Sequence, residues 1–289
     1  MSTNLFGRTN TTTGSTSGNQ SDFFGEWSLA LLGIVAVYLL YMFAEVIYAY
    51  IQRLNADRTE LIPKTCNMES RSKVIPQNPT LANSKPVMMS RNERSGIEFT
   101  YSFYVKIEPS TFRQEAGLVH LFHKGYSSQF PLLGPGVFMH SHKNTMRVYM
   151  NTYKTWNNYI DVDNFPVGKW VHVAVICKEK ALEVYINGNL SKKMSFEGHV
   201  PYQNYEDIVC FSQRRVLVRK TNVPALSEDL NVYGSAKGQM SRLYYFSYAL
   251  CYAEIQKLLN EGPSKEMDED SISERPPYLA DRWWIENAA

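Results

Sequence analysis

The stretch GKWVHVAVICKEKALEVYINGNL, residues 168–190, decides the fold of this chain. It holds two short runs rich in β-branched residues, Trp170–Cys177 and Ala181–Ile186, separated by a charged turn. Such runs are typical of strands, whose side chains alternate between two faces. The second run ends in Asn187-Gly188, the strongest short signal for a two-residue hairpin turn. These residues therefore predict antiparallel β-structure.

The same pattern recurs on both sides of this hairpin. In FTYSFYVKI (99–107), the odd positions from Phe99 to Ile107 are apolar and share one face, and Met146, Val148 and Met150 repeat the alternation. A single short helical pattern, YAEIQKLLN (252–260), closes the series with Ala253, Ile255, Leu258 and Leu259 on its apolar side. We predict an all-β fold, a two-sheet antiparallel jelly-roll sandwich over residues 93–262.

These segments resemble the laminin-G-like branch of the concanavalin A-like lectin/glucanase superfamily. FTYSFYVKI is similar to the family's opening core strand and LVHLFHKG (118–125) to its second. GKWVHVAVICKEKALEVYINGNL resembles the family's Trp-x-His-Val-Ala strand and hairpin, and GQMSRLYYFSYALCYAEIQKLLN (238–260) its closing strand and helix. The resemblance implies a concanavalin A-like jelly roll. It leaves function open, because this fold carries lectins, adhesion modules, glycosidases and structural domains.

Composition narrows the functional classes. The 289 residues contain 30 Lys and Arg against 28 Asp and Glu, a formal net charge of +2. A dedicated nucleic-acid-binding protein usually carries a strong basic excess, so we expect no nucleic-acid partner. The four cysteines, Cys66, Cys177, Cys210 and Cys251, show no CxxC spacing of the kind that zinc modules use. In a cytosolic domain we expect free thiols, and in an oxidising compartment a Cys210–Cys251 disulfide.

The N-terminal third predicts a membrane anchor between two polar segments. Residues 1–22 are a Ser/Thr/Asn/Gly-rich tail that we expect to be disordered. Residues 23–52 form the predicted transmembrane helix, with 18 uncharged residues from Trp27 to Ala44, and residues 53–92 read as a proline-containing linker. More basic residues follow the helix than precede it, which predicts a lumenal or outside N-terminus and a cytosolic sandwich.

We expect no enzymatic activity, because the sandwich lacks the paired acidic residues that retaining glucanases carry on one strand. No cofactor is expected. Asp161 and Asp163 are the candidates for calcium, with an ordinary polar strand end as the alternative. Two histidine pairs, His120 with His123 and His140 with His142, are candidates for zinc, although we favour ordinary sheet histidines.

Two surfaces are candidates for binding. Exposed aromatic residues beside polar ones, Tyr153, Trp156 and Tyr159, suit a glycan or a protein partner, and core packing is the alternative. A basic cluster is a candidate for anionic ligands or for a solvated strand edge; it comprises Arg214, Arg215, Arg219 and Lys220.

The last segment, residues 263–289, is an acidic tail with a Trp-Trp motif. Tyr278, Leu279, Trp283 and Trp284 are candidates for anchoring in a partner protein, and folding back on the sandwich is the alternative. Three glycosylation sequons begin at Asn10, Asn19 and Asn189, and the predicted orientation exposes only the first two to the lumen.

Two functional hypotheses follow. In the first, the chain is a non-enzymatic, single-pass membrane protein that binds other proteins. The anchor, sandwich and PPYLxxxWW-type ending resemble virion proteins of large double-stranded DNA viruses, which implies a minor capsid protein tethering an internal membrane to the capsid shell. In the second, it is a cell-surface carbohydrate-binding or adhesion protein.

Overall fold

The computed structural model describes residues 31–48, 58–90, 97–126, 132–155, 158–196, 199–219 and 229–268. The chain divides into two compact units, residues 1–54 and 55–289. In the first unit, helix α1 spans Leu31–Tyr48, and all its side chains are exposed. It lies within the predicted transmembrane segment. The predicted tail, residues 1–22, lies outside the described residues.

The second unit is a two-sheet sandwich. The first sheet runs in the order β1-β15-β4-β9-β10-β11, with β2 also paired to β15. Its strands are β1 (Arg58–Ile62), β2 (Cys66–Asn67), β4 (Phe99–Ile107), β9 (Val171–Lys178), β10 (Ala181–Ile186), β11 (Asn189–Ser195) and β15 (Gly238–Phe246). All its pairings are antiparallel.

The second sheet runs in the order β13-β14-β5-β6-β7-β8, and β12 bridges β5 to β3. Its strands are β3 (Lys73–Ile75), β5 (Leu118–Lys124), β6 (Gly136–His140), β7 (Met146–Met150), β8 (Asn158–Val162), β12 (Ile208–Cys210), β13 (Arg215–Val218) and β14 (Leu230–Ser235). One pairing, between β14 and β5, is parallel. The predicted concanavalin A-like sandwich is confirmed, with this one departure from antiparallel order.

Alternation along the strands builds the core between the sheets. The odd positions of β4, from Phe99 to Ile107, are at most 1% exposed, and Met146, Val148 and Met150 of β7 face them from the second sheet. The predicted core faces are therefore confirmed. Truncating any one of these side chains to alanine removes apolar contacts at a typical cost of about 2–5 kcal/mol.

Helix α2 (Tyr252–Glu261) packs on the outer face of the first sheet. Ile255 and Leu258 are buried against it, as the apolar pattern predicts, whereas Ala253 is exposed. The hydroxyl group of Tyr104 lies 2.8 Å from the carbonyl oxygen of Leu258 and 2.7 Å from that of Leu259. It thereby satisfies carbonyl groups that every helix leaves unpaired at its C-terminal end.

The domain boundaries differ from the predicted ones. Strands β1, β2 and β3 lie inside the range predicted as a linker, 53–92, and join both sheets. Pro63 and Pro76 directly follow β1 and β3, so these prolines end short strands rather than preventing them. At the other end, residues 263–268 of the predicted tail lie along the sandwich, where the amide of Thr65 donates to the carbonyl oxygen of Glu266 at 2.9 Å.

A candidate ligand-binding face

The outer face of the second sheet collects polar and aromatic side chains from β6, β7 and β8. Because Val148 and Ile160 point into the core, their neighbours along the same strands point outward. The register places Arg147 opposite Asp161 and Tyr149 opposite Tyr159. We call this outer surface of β6, β7 and β8 the polar face.

An arginine–carboxylate pair lies at the centre of the polar face. Arg147 donates to both carboxylate oxygens of Asp161, from Nε at 2.7 Å and from Nη2 at 2.8 Å. The guanidinium group stacks over the ring of Tyr159, 3.8 Å from its centroid, and Nη1 lies 3.3 Å from the Tyr149 hydroxyl. Two-pronged geometry and stacking fix the orientation of the arginine.

This environment holds Asp161 in its charged form. Partial burial acts to raise the pKa of Asp161 and is the largest single effect, but the hydrogen bonds and charges of Arg147 and His140 together outweigh it and hold the pKa well below its usual range. Burial likewise acts to lower the pKa of Arg147, but its interactions with Asp161 and Tyr149 together raise that pKa above its ordinary value. The His140 ring reinforces the arrangement, with Nε2 3.7 Å from the carboxylate.

A small pocket of about 170 Å³ opens beside this pair. It is lined by side chains that can donate or accept hydrogen bonds, including His140, His142, Arg147, Tyr149, Asp229 and Asn231. Ligand pockets typically measure about 300–1,000 Å³, so this one accommodates a small polar group rather than a large molecule.

The predicted calcium pair does not share a site. Both oxygens of Asp161 accept from Arg147, whereas Asp163 accepts a hydrogen bond from the Thr145 hydroxyl at 3.1 Å and lies 3.9 Å from Lys192. Within the part of the chain that the structure describes, no group of three or more His, Cys, Asp or Glu side chains is arranged to hold a metal ion.

The first histidine pair is a buried hydrogen-bonded chain. His120 Nδ1 accepts from the amide of Ser212 at 3.0 Å, so its proton is on Nε2, 2.7 Å from Nδ1 of His123. His123 then directs Nε2 at the carbonyl oxygen of Tyr126, 3.1 Å away. Burial lowers the pKa of His120 strongly and that of His123 to about 4. Every ring nitrogen of this pair has a hydrogen-bond partner. This agrees with the interpretation of the pair as ordinary sheet histidines rather than zinc ligands.

The residues of the predicted aromatic surface do not all lie on one exposed surface. Tyr153 is 74% exposed, and its ring meets that of Tyr202 edge to face at 5.1 Å. Tyr159 instead lies half-buried beneath Arg147, and Trp156 lies outside the described residues.

The basic cluster lies on an edge strand. Arg214, Arg215 and Arg219 are exposed in or beside β13, the outermost strand of the second sheet, while Lys220 lies outside the described residues. Val216 and Val218 turn toward a small apolar cluster on the sheet. This arrangement agrees with the interpretation as a solvated edge, and it also presents the arginines to solvent.

The four cysteines are free thiols in the structure, and the Cys210–Cys251 pairing considered for an oxidising compartment is not formed. Cys210 is fully buried in the core between the sheets, whereas Cys251 is exposed at the N-terminal cap of α2. Asn189 is exposed next to the hairpin turn. The other predicted sites, Asn10, Asn19, Tyr278, Leu279, Trp283 and Trp284, lie outside the described residues.

Sequence reasoning missed the Arg147–Asp161 pair. The sequence pattern indicates Asp161 only as a calcium candidate, and Arg147 lies between the predicted core positions Met146 and Val148 with no role predicted for it. The available signal was opposite charge at outward positions of two strands close in sequence, which pair across a sheet.

Comparison with known proteins identifies the family. A family model described as concanavalin A-like lectin/glucanases superfamily matches residues 82–255, more than half of the chain. No curated protein matches this chain significantly.

Several solved structures resemble the fold at low identity. The receptor binding domain of botulinum neurotoxin C/D mosaic serotype has a TM-score of 0.42 and 13% identity, over 57% of this chain and 36% of that one. The binding domain of Paraclostridial Mosquitocidal Protein 1 has a TM-score of 0.45 and 14% identity, over 68% of this chain and 42% of that one. A botulinum neurotoxin serotype D ligand binding domain in complex with N-acetylneuraminic acid has a TM-score of 0.43 and 12% identity, over 72% of this chain and 51% of that one. This chain thus spans about half or less of their lengths, and their ligands do not transfer to it.

Proposed function

Because this chain belongs to the concanavalin A-like lectin/glucanase superfamily, whose fold carries enzymes and binding modules alike, we propose that it is a membrane-anchored, non-catalytic binding protein. The sandwich presents the binding surfaces, and α1 holds it at a membrane. The exposure of α1 is the observation that carries this proposal.

Helix α1 has the length and the apolar composition of a membrane span. Its 18 residues extend about 27 Å at ~1.5 Å per residue, close to the ~30 Å hydrocarbon core of a bilayer. In the part of the chain that the structure describes, every side chain of α1 is exposed, unlike those of a core helix in a soluble domain. Side chains such as Leu32, Ile34 and Phe43 therefore need an apolar environment from outside the chain.

The polar face supports binding rather than glycoside hydrolysis. Hydrolysis requires two carboxyl groups across the scissile bond, one of them protonated at the start. Asp161 is held charged by Arg147, with a pKa shifted in the direction opposite to that of a general acid. A carboxylate locked in this way can position a polar ligand, but it cannot donate a proton.

The finer form of the proposal concerns orientation and partner. We place the N-terminus on the lumenal or outer side and the sandwich in the cytosol, and we assign the Trp283-Trp284 tail to a partner protein. In a virion with an internal membrane, such a chain serves as a minor capsid protein that tethers membrane to shell. The support is the order of anchor, sandwich and PPYL-WW ending along the sequence.

A glycan-binding surface protein is the second candidate. The pocket beside Arg147 and Asp161 and the exposed Tyr153 favour it, because sugars are bound by hydrogen-bonding side chains beside aromatic rings. In that case the sandwich faces outward, so its topology separates the two candidates.

Alkaline carbonate extraction of membranes from cells expressing the full chain tests the anchor. We expect the wild-type chain to stay in the membrane pellet, and Leu32→Arg/Leu39→Arg to move it to the supernatant, because charges are costly inside a bilayer. Leu190→Arg/Leu217→Arg is the matched control, since both side chains are exposed on the sandwich. A wild-type chain in the supernatant, shortened at its N-terminus, would identify a cleaved signal sequence and overturn the proposal.

A further inference from the structure

The exposed aromatic side chains of the sandwich gather at one end of it. Among the described residues outside α1, the exposed large aromatics are Tyr126, Tyr153, Tyr205 and Tyr252, at 47%, 74%, 74% and 63% exposure. Strand register within each sheet, together with hydrogen bonds between the sheets, locates all four at the end where the chain enters β1 at Arg58. We call this the entry end.

In the first sheet, the register locates the entry end directly. Arg58 pairs with Phe246, Phe246 with Thr100 and Thr100 with Ile176, so these residues form one row across β1, β15, β4 and β9. Just beyond this row, the turn between β9 and β10 carries exposed Lys178 and Lys180. Residues 247–251 lead from Phe246 to Tyr252 at the start of α2. Tyr252 and the two lysines line one open groove of about 600 Å³.

In the second sheet, two of the other three tyrosines follow β5 and β7, which both pair antiparallel with β6 and therefore end on the same side. Tyr126 comes two residues after β5, and Tyr153 three residues after β7. Tyr205 is held next to the end of β5, because Asn204 Nδ2 donates to the carbonyl oxygen of Lys124 at 2.9 Å and Lys124 Nζ to that of Glu206 at 2.6 Å.

One hydrogen bond ties the two sets together. Gln203 Nε2 donates to the Tyr245 hydroxyl at 2.7 Å, and Tyr245 lies one residue from Phe246 in the entry row. The segment carrying Tyr205 therefore connects the entry ends of both sheets.

We propose that the entry end is a lipid-contacting surface that rests on the headgroup region of an anionic membrane. Tyrosine rings favour the membrane interface, where the ring is shielded and the hydroxyl stays hydrated. The exposed lysines beside them, Lys154, Lys178 and Lys180, outnumber the exposed Glu179 of the same turn and add attraction to anionic headgroups. Only residues 49–57 separate α1 from β1, and at most about 3.6 Å per residue keeps the entry point within about 32 Å of the bilayer. This inference rests on the proposed membrane anchor.

Lipid quenching of a fluorophore on Cys251 tests the surface. Cys251 is exposed at the entry end, while Cys66, Cys177 and Cys210 are buried, so a maleimide fluorophore labels the native chain selectively. The full chain is reconstituted into vesicles containing phosphatidylserine and a lipid with a spin-labelled headgroup. The matched control carries the label at the far end of the sheet, in C251S/N189C, because Asn189 follows the β10–β11 turn.

We expect several-fold stronger quenching at Cys251 than at position 189. In Y126S/Y153S/Y205S/Y252S the quenching should fall toward the control, with flotation of the vesicle-bound chain unchanged; K178E/K180E serves as a second variant should the first misfold. Equal quenching at both positions, in a chain that floats with the vesicles, would contradict lipid contact at the entry end. The exposed tyrosines would then be better explained as a surface for a protein partner. A chain that fails to float overturns the anchor itself, a separate outcome.

Discussion

Arg147 and Asp161 face each other across β7 and β8 and are joined by two short hydrogen bonds, with the guanidinium group stacked on Tyr159. The pair lies at the centre of the polar face, and its arginine lines the pocket there. Its two charges cancel and are largely removed from water. The pair therefore fixes the positions of the side chains at the centre of the polar face. Removing either residue leaves the charge of the other one unpaired.

Asp161→Ala should destabilise the fold by about 3 kcal/mol, because it strands the buried Arg147 guanidinium without its carboxylate. Urea unfolding of the full chain in mild detergent, followed by circular dichroism, measures the loss. Asp163→Ala is the control, since that carboxylate is 55% exposed and should cost less than about 1 kcal/mol. Equal losses in the two variants would show that the Arg147–Asp161 pair contributes little to stability.

Stability should fall as the pH is lowered from about 6.5 toward 4. Burial lowers the pKa of His172 and of His123 to about 4 in the folded chain, so between these pH values the unfolded chain binds protons that the folded chain does not. Each such histidine adds a slope of up to about 1.4 kcal/mol per pH unit.

The variant His172→Gln should reduce this slope between pH 6.5 and 5. Ser102→Ala is its control, because it removes the 2.9 Å hydrogen bond to His172 Nε2 but keeps the imidazole. A variant His172→Gln with the wild-type slope would contradict the assignment of a buried neutral ring.

Gly188→Ala should destabilise the sandwich by about 1–2 kcal/mol. Gly188 has φ of +80°, which L-residues adopt only with strain, and an added Cβ would lie 2.3 Å from Gln256 Nε2 and 3.1 Å from Leu259 Cδ2 in α2. Gly168→Ala is the matched control, with φ of +74° and open space around the added atom. Gly168→Ala shares the φ strain, so a larger loss in Gly188→Ala measures the contact with α2, and equal losses in thermal unfolding would show that the Gln256 side chain moves away from the added atom at no cost.

One thiol of the four should react rapidly with Ellman's reagent in the native chain, and Cys251→Ser should abolish that fast phase. Cys251 is exposed, whereas burial raises the pKa of the Cys177 and Cys210 thiols and excludes the reagent. Non-reducing electrophoresis should show no Cys210–Cys251 disulfide even after mild oxidation. A fast phase that survives in Cys251→Ser would mean that one of the other thiols is accessible.

The sequence predicts the fold well because strand alternation and turn chemistry are local. Asn187 and Gly188 both adopt positive φ, at 48° and 80°, as the hairpin signal requires. The odd residues of β4 enter the core for the same reason. Strands β1 and β3 escaped prediction because each is short and its pairing partner, β15 or β12, is distant in the chain.

The polar face was less predictable, since it depends on which strands become neighbours. Arg147 and Asp161 meet because β7 pairs with β8 in one particular register, and a shift of one residue would separate them. The Lys73–Asp268 ion pair, between strand β3 and the start of the C-terminal segment, arises from long-range packing in the same way.

Glycosylation mapping after translation into microsomes tests the central claim of an anchored chain with a cytosolic sandwich. Each sequon is removed in turn, as Asn10→Gln, Asn19→Gln and Asn189→Gln, and the shift in gel mobility is followed. The account predicts modification at Asn10 or Asn19 and none at Asn189, although Asn189 is exposed beside the hairpin turn. Modification at Asn189 would place the sandwich in the lumen, contradict the orientation and make the glycan-binding surface protein the better account.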